Sequence, residues 1–350
     1  MRVAFFVYPS AFQNKGGGEI LLEKSEEYLK KTDGIEIKRF DMWQDRIEDF
    51  DILHVFGSVK DCLGIMLVAK ARGVKVVLES IFWSDLRRAV FEEGGIISKA
   101  KMVTRHFAKV VCPFYPSARK KMFETADMIF PNSDSEARQI SRFFNISMKK
   151  MFVVPNGVDM KFESASSGLF VEKFGIKDFV LYTGRIEPRK NQLNLIRAMK
   201  GLDKDLVLIG EQVSSYKWYY DKCIREAGEN VHFLGKMDHG SEMLLSAYAA
   251  CDVFVLPGWF ETPGLAALEA ALIGAKVVVT DGGSTKEYFQ DKVLYIKPNN
   301  VKDMRRKIEI ALEREKINGL KEFVLDSFIW EKVAERMVEG YKRVIEKNVF

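Results

Sequence analysis

Cysteine, histidine and proline are scarce in this chain of 350 residues, and each scarcity removes a class of function. The four cysteines, Cys62, Cys112, Cys223 and Cys251, form no Cys-x-x-Cys pair and have no His-x-x-x-His partner. That excludes a zinc-finger pattern and a disulfide framework, and it points to a reducing, cytoplasmic setting. Nine prolines and no low-complexity tract argue against a disordered chain. No apolar run reaches the roughly 20 residues of a membrane span. The apolar start MRVAFFVYPSAF is too short for a signal peptide, lacks a cleavage pattern, and reads as a buried strand.

What is present is an ordinary globular composition, 47% hydrophobic and 29% charged, long enough for two domains. Short β-branched or aromatic runs alternate with longer helical patterns, the signature of parallel sheets covered by helices. The first half offers RVAFFVY, IEIKRF, DILHVFG, VKVVLES, MIFPNS and MFVVPNG; the second offers FVLYTG, DLVLIG, VHFLG, DVFVLPG, AKVVVT and VLYIK. Between them VDMKFESASSGLFVEKFG has the Ser and Gly content of a connector, which sets a boundary near residue 165. The expected architecture is α/β, with doubly wound domains over residues 1–165 and 166–329. Such sheets bind ligands beyond the carboxyl ends of their strands, so a cleft between two facing domains is the expected active site.

The stretch ETPGLAALEA places Glu261 and Glu269 eight residues apart around an apolar segment. Thr262 is positioned to cap a helix with Pro263 in its first turn and Gly274 at its end. Leu265, Leu268 and Leu272 would face the sheet, and Glu269 would share much of that side. A carboxylate there is costly unless several donors meet it. Free amides near Gly264 and Leu265, directly after a strand, favour an anion. An anion site flanked by two carboxylates suits a nucleotide-diphospho-sugar: phosphates on the amides, a ribose diol on Glu269, and the sugar on Glu261. A random pair of glutamates is more often a solvated loop residue and half of a buried ion pair, and the rest of the chain shifts that balance. In TGRIEPRKN, Arg185, Arg189 and Lys190 gather three cations at another strand end, where a departing pyrophosphate needs its charge neutralised.

Taken with the glutamates, these residues resemble the retaining glycosyltransferases of family 4, which have the GT-B architecture of two Rossmann-like domains facing across a cleft. Glu261 and Glu269 spell that family's Glu-x7-Glu pair, and Gly184, Arg185 and Lys190 match its Gly-Arg and Arg-Lys segment. KGGGE at 15–19, ADMIFPNSDSEARQI at 126–140, VPNGVD at 154–159, VLIGE at 207–211, VHFLG at 231–235 and the run 247–283 follow in the family order. The resemblance implies that Arg185 and Lys190 hold the diphosphate and stabilise it as it leaves. It also implies that Glu269 binds the ribose and Glu261 the donor sugar. Gly17 and Gly18, in a loop before the first helix, would approach the donor along with Gly184, Gly210, Gly264 and Leu265. The terminal segment 330–350 resembles the family's last helix, which crosses back to the N-terminal domain. Many relatives carry a histidine after the fourth strand; Glu79 and Ser80 stand there here, as candidate sugar or acceptor contacts. His54, inside DILHVFG, reads as a core or cleft-rim residue.

Two Asp-x-Asp spellings, Asp49 with Asp51 and Asp203 with Asp205, lie at strand starts, away from the ligand end, so no metal site and no cofactor are implied. From Gly94 to Phe123 there are seven basic residues, Lys99, Lys101, Arg105, Lys109, Arg119, Lys120 and Lys121, and no acidic one, in a chain of net charge +5. On a helix from Ile96 to Val111, the residues Ile96, Val103, Phe107 and Val110 share one face while Lys101, Arg105 and Lys109 line another. This arrangement fits an anionic membrane surface, peripheral to the cytoplasmic side, and equally a solvated helix face. Neither a recognition-helix motif nor a stacking platform accompanies the charge, which argues against nucleic acid. Two functions stay open. One is a hexosyltransferase taking UDP-, GDP- or ADP-hexose to a lipid-linked or glycan acceptor with retention. The other is a nucleotide-sugar-binding protein of the same fold without turnover.

Overall fold

Eleven parallel strands form among residues 1–14, 16–92, 94–111, 116–314 and 319–346, the residues described in the computed structural model. They are β1 (Arg2–Val7), β2 (Glu36–Arg39), β3 (Ile52–Phe56), β4 (Lys75–Glu79), β5 (Met128–Phe130), β6 (Phe179–Thr183), β7 (Leu206–Ile209), β8 (Val231–Phe233), β9 (Cys251–Leu256), β10 (Lys276–Thr280) and β11 (Leu294–Ile296). By its contacts the chain divides into two units. The first comprises Met1–Ser84, Phe107–Gly157 and Trp330–Phe350, and the second comprises Asp85–His106 and Val158–Ile329.

In the first unit the sheet order is β2-β1-β3-β4-β5, all parallel. Its strands are apolar on both faces because both are covered, and alternate residues therefore enter different cores. Val3 and Phe5 of β1 join a cluster with Val77, Phe130, Trp330, Met337 and Tyr341, whereas Ala4 and Phe6 join Leu53, Val76, Met122 and Phe143. The first of these cores is completed by the helix Trp330–Glu346, which packs on the helix Gly17–Leu29 and on β4. The run MFVVPNG is not a strand. Met151 makes one isolated bridge to Ile129, and the amides of Phe152 and Val154 donate to Ile129 and Pro131, after which Pro155 has no N–H to continue the ladder.

In the second unit all six expected strands form, in the order β11-β10-β9-β6-β7-β8. Numbered from β6, this is the doubly wound order 3-2-1-4-5-6, whose direction reverses between β6 and β9. The expectation of one continuous first domain over 1–165 does not match this division. The chain passes between units after Gly157, and Asp85–His106 belongs with the second unit. The reason lies in its contacts: Arg87 pairs with Asp281 at 2.6 Å, Phe91 stacks 6.5 Å from Trp259, and Arg88 lies 5.9 Å from the ring of Phe260.

The helix Ile96–Val111 forms over the span expected of it. The side chains of Ile96, Arg105, Lys109 and Val110, and the whole of Cys112, lie outside the described residues. The expected seven-residue basic surface is smaller than its sequence. Lys120 is buried, and Arg119 donates to the Ser58 carbonyl at 3.1 Å and lies over the Phe82 ring. Lys101 and Lys121 are exposed.

Candidate active site

The loops after β6 and β7 in the second unit approach so closely that only glycine fits. A Cβ on Gly210 would fall 1.9 Å from the Gly184 carbonyl oxygen, and Gly184 itself has φ +139°. The Arg185 carbonyl is fixed by the Gln192 amide at 2.7 Å and by the Tyr182 hydroxyl at 3.2 Å. The Arg185 side chain is held only loosely, 3.7 Å from Glu187 and 42% exposed. Its guanidinium is free to meet an anion.

Arg189 and Lys190 turn inward instead. Arg189 donates to Glu187 at 3.2 Å and to the Phe260 carbonyl at 3.4 Å, and its own carbonyl accepts from the Trp259 amide at 3.0 Å. These bonds tie the Pro188–Lys190 turn to the loop after β9. Asn191, in a left-handed conformation, bridges the carbonyls of Pro257 and Pro298 at 3.0 and 2.8 Å. Lys190 Nζ then reaches both oxygens of Glu261, at 2.8 and 2.9 Å. Burial, and after it the charge of Arg189, pulls the Lys190 ammonium below its ordinary pKa, while Glu261 opposes the shift. Glu261 is only 4% exposed, and a second cation, Arg189, lies 4.0 Å from its Oε1. Its backbone is clamped as well: its amide donates to Gly282, and its carbonyl accepts from Ser284.

The helix after Glu261 begins later than the sequence suggests. It spans Leu265–Leu272, its N-cap is Gly264 at φ +95°, and no side chain caps it. Thr262 and Pro263 therefore precede the helix, because the turn into it needs a left-handed residue that only Gly264 supplies without strain. Leu265, at the open end, is half-buried, while Leu268 and Leu272 are fully buried as expected. The amides of Leu265 and Ala266 have no protein acceptor among the described residues, as first-turn amides do when nothing caps them. Free first-turn amides of this kind, here immediately downstream of Glu261, favour an anion.

Glu269, 6% exposed, meets two donors. The Tyr248 hydroxyl donates to Oε2 at 2.7 Å, and His239 Nε2 lies 2.6 Å from Oε1. Tyr248 also lies 2.6 Å from Thr183 Oγ1 at the end of β6. Burial, then the neighbouring carboxylate, raises the phenol well above its usual pKa, so it remains a donor. Sequence reasoning missed the partners Tyr248, His239 and Asn191. Tyr248 sits in the run 247–283 as one more apolar position, and a lone histidine in KMDHG carries no spacing signal.

The expected contacts of the first unit lie elsewhere. Gly17 and Gly18 are not in a loop but open the helix Gly17–Leu29. Behind them Glu19 accepts from the Gly16 amide at 2.8 Å and from the Tyr8 hydroxyl at 3.2 Å. Glu79 and Ser80 are 1% and 0% exposed, so neither is open to a sugar or acceptor. Ser80 donates to Glu136 at 2.6 Å, and Glu79 faces His54 at 3.5 Å inside the core. Burial pushes Glu79 well above the carboxylate range and His54 down to about 3. His54 bonds Tyr341 of the last helix at 2.6 Å, which makes it a core residue. Asp51 accepts from the Arg2 amide and Asp205 pairs with His232. Among the described residues no three His, Cys, Asp or Glu side chains are grouped to hold a metal ion.

Residues 170–322, which contain every member of the second-unit cluster, match the family profile of glycosyl transferases group 1. The chain is 28% identical over 245 residues to the serotype-specific mannosyltransferase WbdA of Escherichia coli, covering 65% of this chain and 30% of WbdA. It is 29% identical over 204 residues to an N-acetylgalactosaminyltransferase of Campylobacter jejuni that acts on N-acetylgalactosamine-N,N'-diacetylbacillosaminyl-diphospho-undecaprenol, covering 56% of this chain and 53% of that one. It thus spans about half or less of the length of these relatives. In fold it is similar to Anabaena HepE in complex with UDP-glucose, at a TM-score of 0.75 and 16% identity, over 98% of this chain and 100% of that one. By the group 1 match over residues 170–322 and by its two parallel-sheet units, the chain is similar to glycosyl transferases of group 1 in its second unit and to GT-B glycosyltransferases in fold.

Proposed function

We propose that the chain is a retaining hexosyltransferase that carries a hexose from a nucleotide-diphospho-sugar to a hydroxyl of a lipid-linked or glycan acceptor, without a metal. The observation that carries this reading is the Lys190–Glu261 pair beside the unpartnered amides of Leu265 and Ala266. A diphosphate on those amides is also within the reach expected of Arg185, the one loosely held cation of its loop. The bond from the anomeric carbon to the β-phosphate oxygen breaks with its electron pair going to the diphosphate. Arg185 and Lys190 then stabilise the new charge. The acceptor oxygen bonds the anomeric carbon and loses its proton to the departing phosphate or to solvent. Glu261 orients the sugar and favours the positive charge that develops at its ring, while Glu269 accepts from the ribose diol.

The acceptor reading draws support from the first unit. A cavity of about 400 Å³ opens at the carboxyl ends of β1 and β2, lined by Phe12, Phe40, Met42 and Trp43 among others, with Arg39 and Asp41 also in its lining. Trp43 is 92% exposed. Such a site suits an acceptor with an apolar part. No helix of the described residues is long and apolar enough to cross a membrane. Exposed Ile97 and Phe107 on the helix that also bears Lys101 support peripheral attachment to an anionic, cytoplasm-facing surface. Two relatives are named for mannosyl and N-acetylgalactosaminyl transfer, one of them to a diphospho-undecaprenol-linked glycan. The test is a panel of UDP-, GDP- and ADP-hexoses, followed for both donor hydrolysis and transfer to short lipid-linked glycans. Release of nucleoside diphosphate with formation of an α-linked product from an α-donor supports the reading. Tight donor binding with no turnover on any acceptor supports the binding-protein alternative.

A further inference from the structure

An ionised carboxylate is an acceptor only, with about four lone-pair positions on its two oxygens. On Glu269 the protein fills one position per oxygen: Tyr248 O–H on Oε2 at 2.7 Å and His239 Nε2–H on Oε1 at 2.6 Å. That leaves one position free on each oxygen, which matches two adjacent hydroxyls. Without His239 the carboxylate would pivot about its bond to Tyr248, and the second position would lose its direction. The imidazole is itself braced. It lies 6.1 Å from the Phe162 ring, which packs edge-on to Tyr248 at 5.4 Å. Its loop is bounded by Gly235 and Gly240, both at positive φ, and Lys161 Nζ fills the place where a Gly240 side chain would lie. His239 is 27% exposed, and its Nδ1 has no protein partner among the described residues.

We infer that His239 is a positioning residue for donor recognition, fixing the Glu269 carboxylate so that it reads a vicinal diol and thereby selects ribonucleotide over 2'-deoxyribonucleotide donors. This rests on the donor reading above, and the selectivity follows from the bonding count. A ribose presents two hydroxyls to two prepared positions, whereas a 2'-deoxyribose leaves one position on a nearly buried carboxylate empty. An unfilled charged acceptor of that kind is expensive, so the preference for the ribose form is expected to be about tenfold to a hundredfold.

The experiment is calorimetric titration of the whole protein with UDP, GDP and ADP and with their 2'-deoxy counterparts. It compares the parent with His239→Ala and His239→Gln, with thermal melts to confirm that each variant is folded. The parent is expected to prefer one ribose diphosphate over its 2'-deoxy form by at least about tenfold. His239→Ala should weaken the ribose ligand by about tenfold and the deoxy ligand by less than about threefold, collapsing the preference. His239→Gln, whose amide can donate to Oε1, should restore most of it. Equal weakening of both ligands in His239→Ala, an unchanged preference, or a parent that binds a diphosphate without preference would overturn the inference while leaving donor binding intact. A parent that binds none of the three ribose diphosphates would overturn the donor reading and this inference with it.

Discussion

Glu79 in the first unit and Glu261 in the second stand at or just after the end of a parallel strand and are almost inaccessible, at 1% and 4% exposure. Their surroundings differ. Glu261 is met by a lysine at 2.8 and 2.9 Å beside amides with nothing to bind. Glu79 has an Oε2 with no hydrogen bond, and its nearest base is His54 at 3.5 Å, a ring that burial keeps neutral near physiological pH. A buried carboxylate without a cation is driven toward its neutral form, whereas a fixed cation beside one opposes that shift. Position at a strand end therefore does not mark a site. The partners do.

The largest expected break in this contrast comes from Lys190. Lys190→Ala removes the cation proposed to meet the leaving group and leaves Glu261 with only the more distant Arg189, at 4.0 Å. Turnover should fall by about a hundredfold or more, and stability should fall by roughly 2 to 4 kcal/mol, as for one half of a buried pair. Arg185→Ala should lower turnover by at least about tenfold and leave the melting temperature almost unchanged, because that side chain is 42% exposed and loosely held. Steady-state kinetics and melting curves on the two variants check both statements. Equal losses of stability would mean that the two cations are not divided as described.

The next contrast compares carboxylates directly. Glu269→Gln should weaken donor affinity by about tenfold to a hundredfold, the scale of one charged hydrogen bond, while Glu79→Gln should change it less than twofold. A donor titration that showed Glu79→Gln to be the more damaging would restore Glu79 to the site.

A smaller effect concerns pH. Burial raises Glu136 to about 7 from an ordinary 4.5, against hydrogen bonds from Ser80, Asn132 and Phe82 that act the other way, and Glu79 is shifted in the same direction. Between those values the folded first unit holds protons that the unfolded chain releases. The stabilisation is complete below about pH 4.5 and is lost as pH rises through 7. Melting curves from pH 6 to 8.5 should show a loss on the order of 1 to 3 kcal/mol, reduced in Glu79→Gln. A flat profile in the parent would show that these carboxylates ionise freely. The smallest effect belongs to the surface: replacing Lys99, Lys101 and Lys121 by Gln should weaken co-sedimentation with anionic liposomes a few-fold, and salt should do the same.

Much of the second unit was legible in the sequence because its signals are local. The six apolar runs are strands, and the Glu261 to Glu269 spacing brackets a real helix start. What escaped was set by chain-distant packing or by backbone torsion. The Lys190–Glu261 pair joins residues 71 apart in sequence, and His239 reaches Glu269 across 30. The helix start moved from Pro263 to Leu265 because a left-handed turn at Gly264 overrode the capping pattern. In the first unit, aligning Glu79 and Ser80 with a family histidine identified the strand end but could not show that the side chains face His54 and Glu136 rather than open space. The basic stretch was read as one surface, yet Lys120 folds inward.

The measurement that bears most directly on the central claim separates donor binding from chemistry in Glu261→Gln. Glu261 is assigned to the transferred sugar, and its contribution should grow as charge develops at the anomeric carbon. With the donor that the parent uses, calorimetry should find an affinity within about threefold of the parent, while kcat falls by about a hundredfold. Parent-like turnover in Glu261→Gln, at normal donor affinity, would contradict the account and reduce the Lys190–Glu261 pair to a structural ion pair.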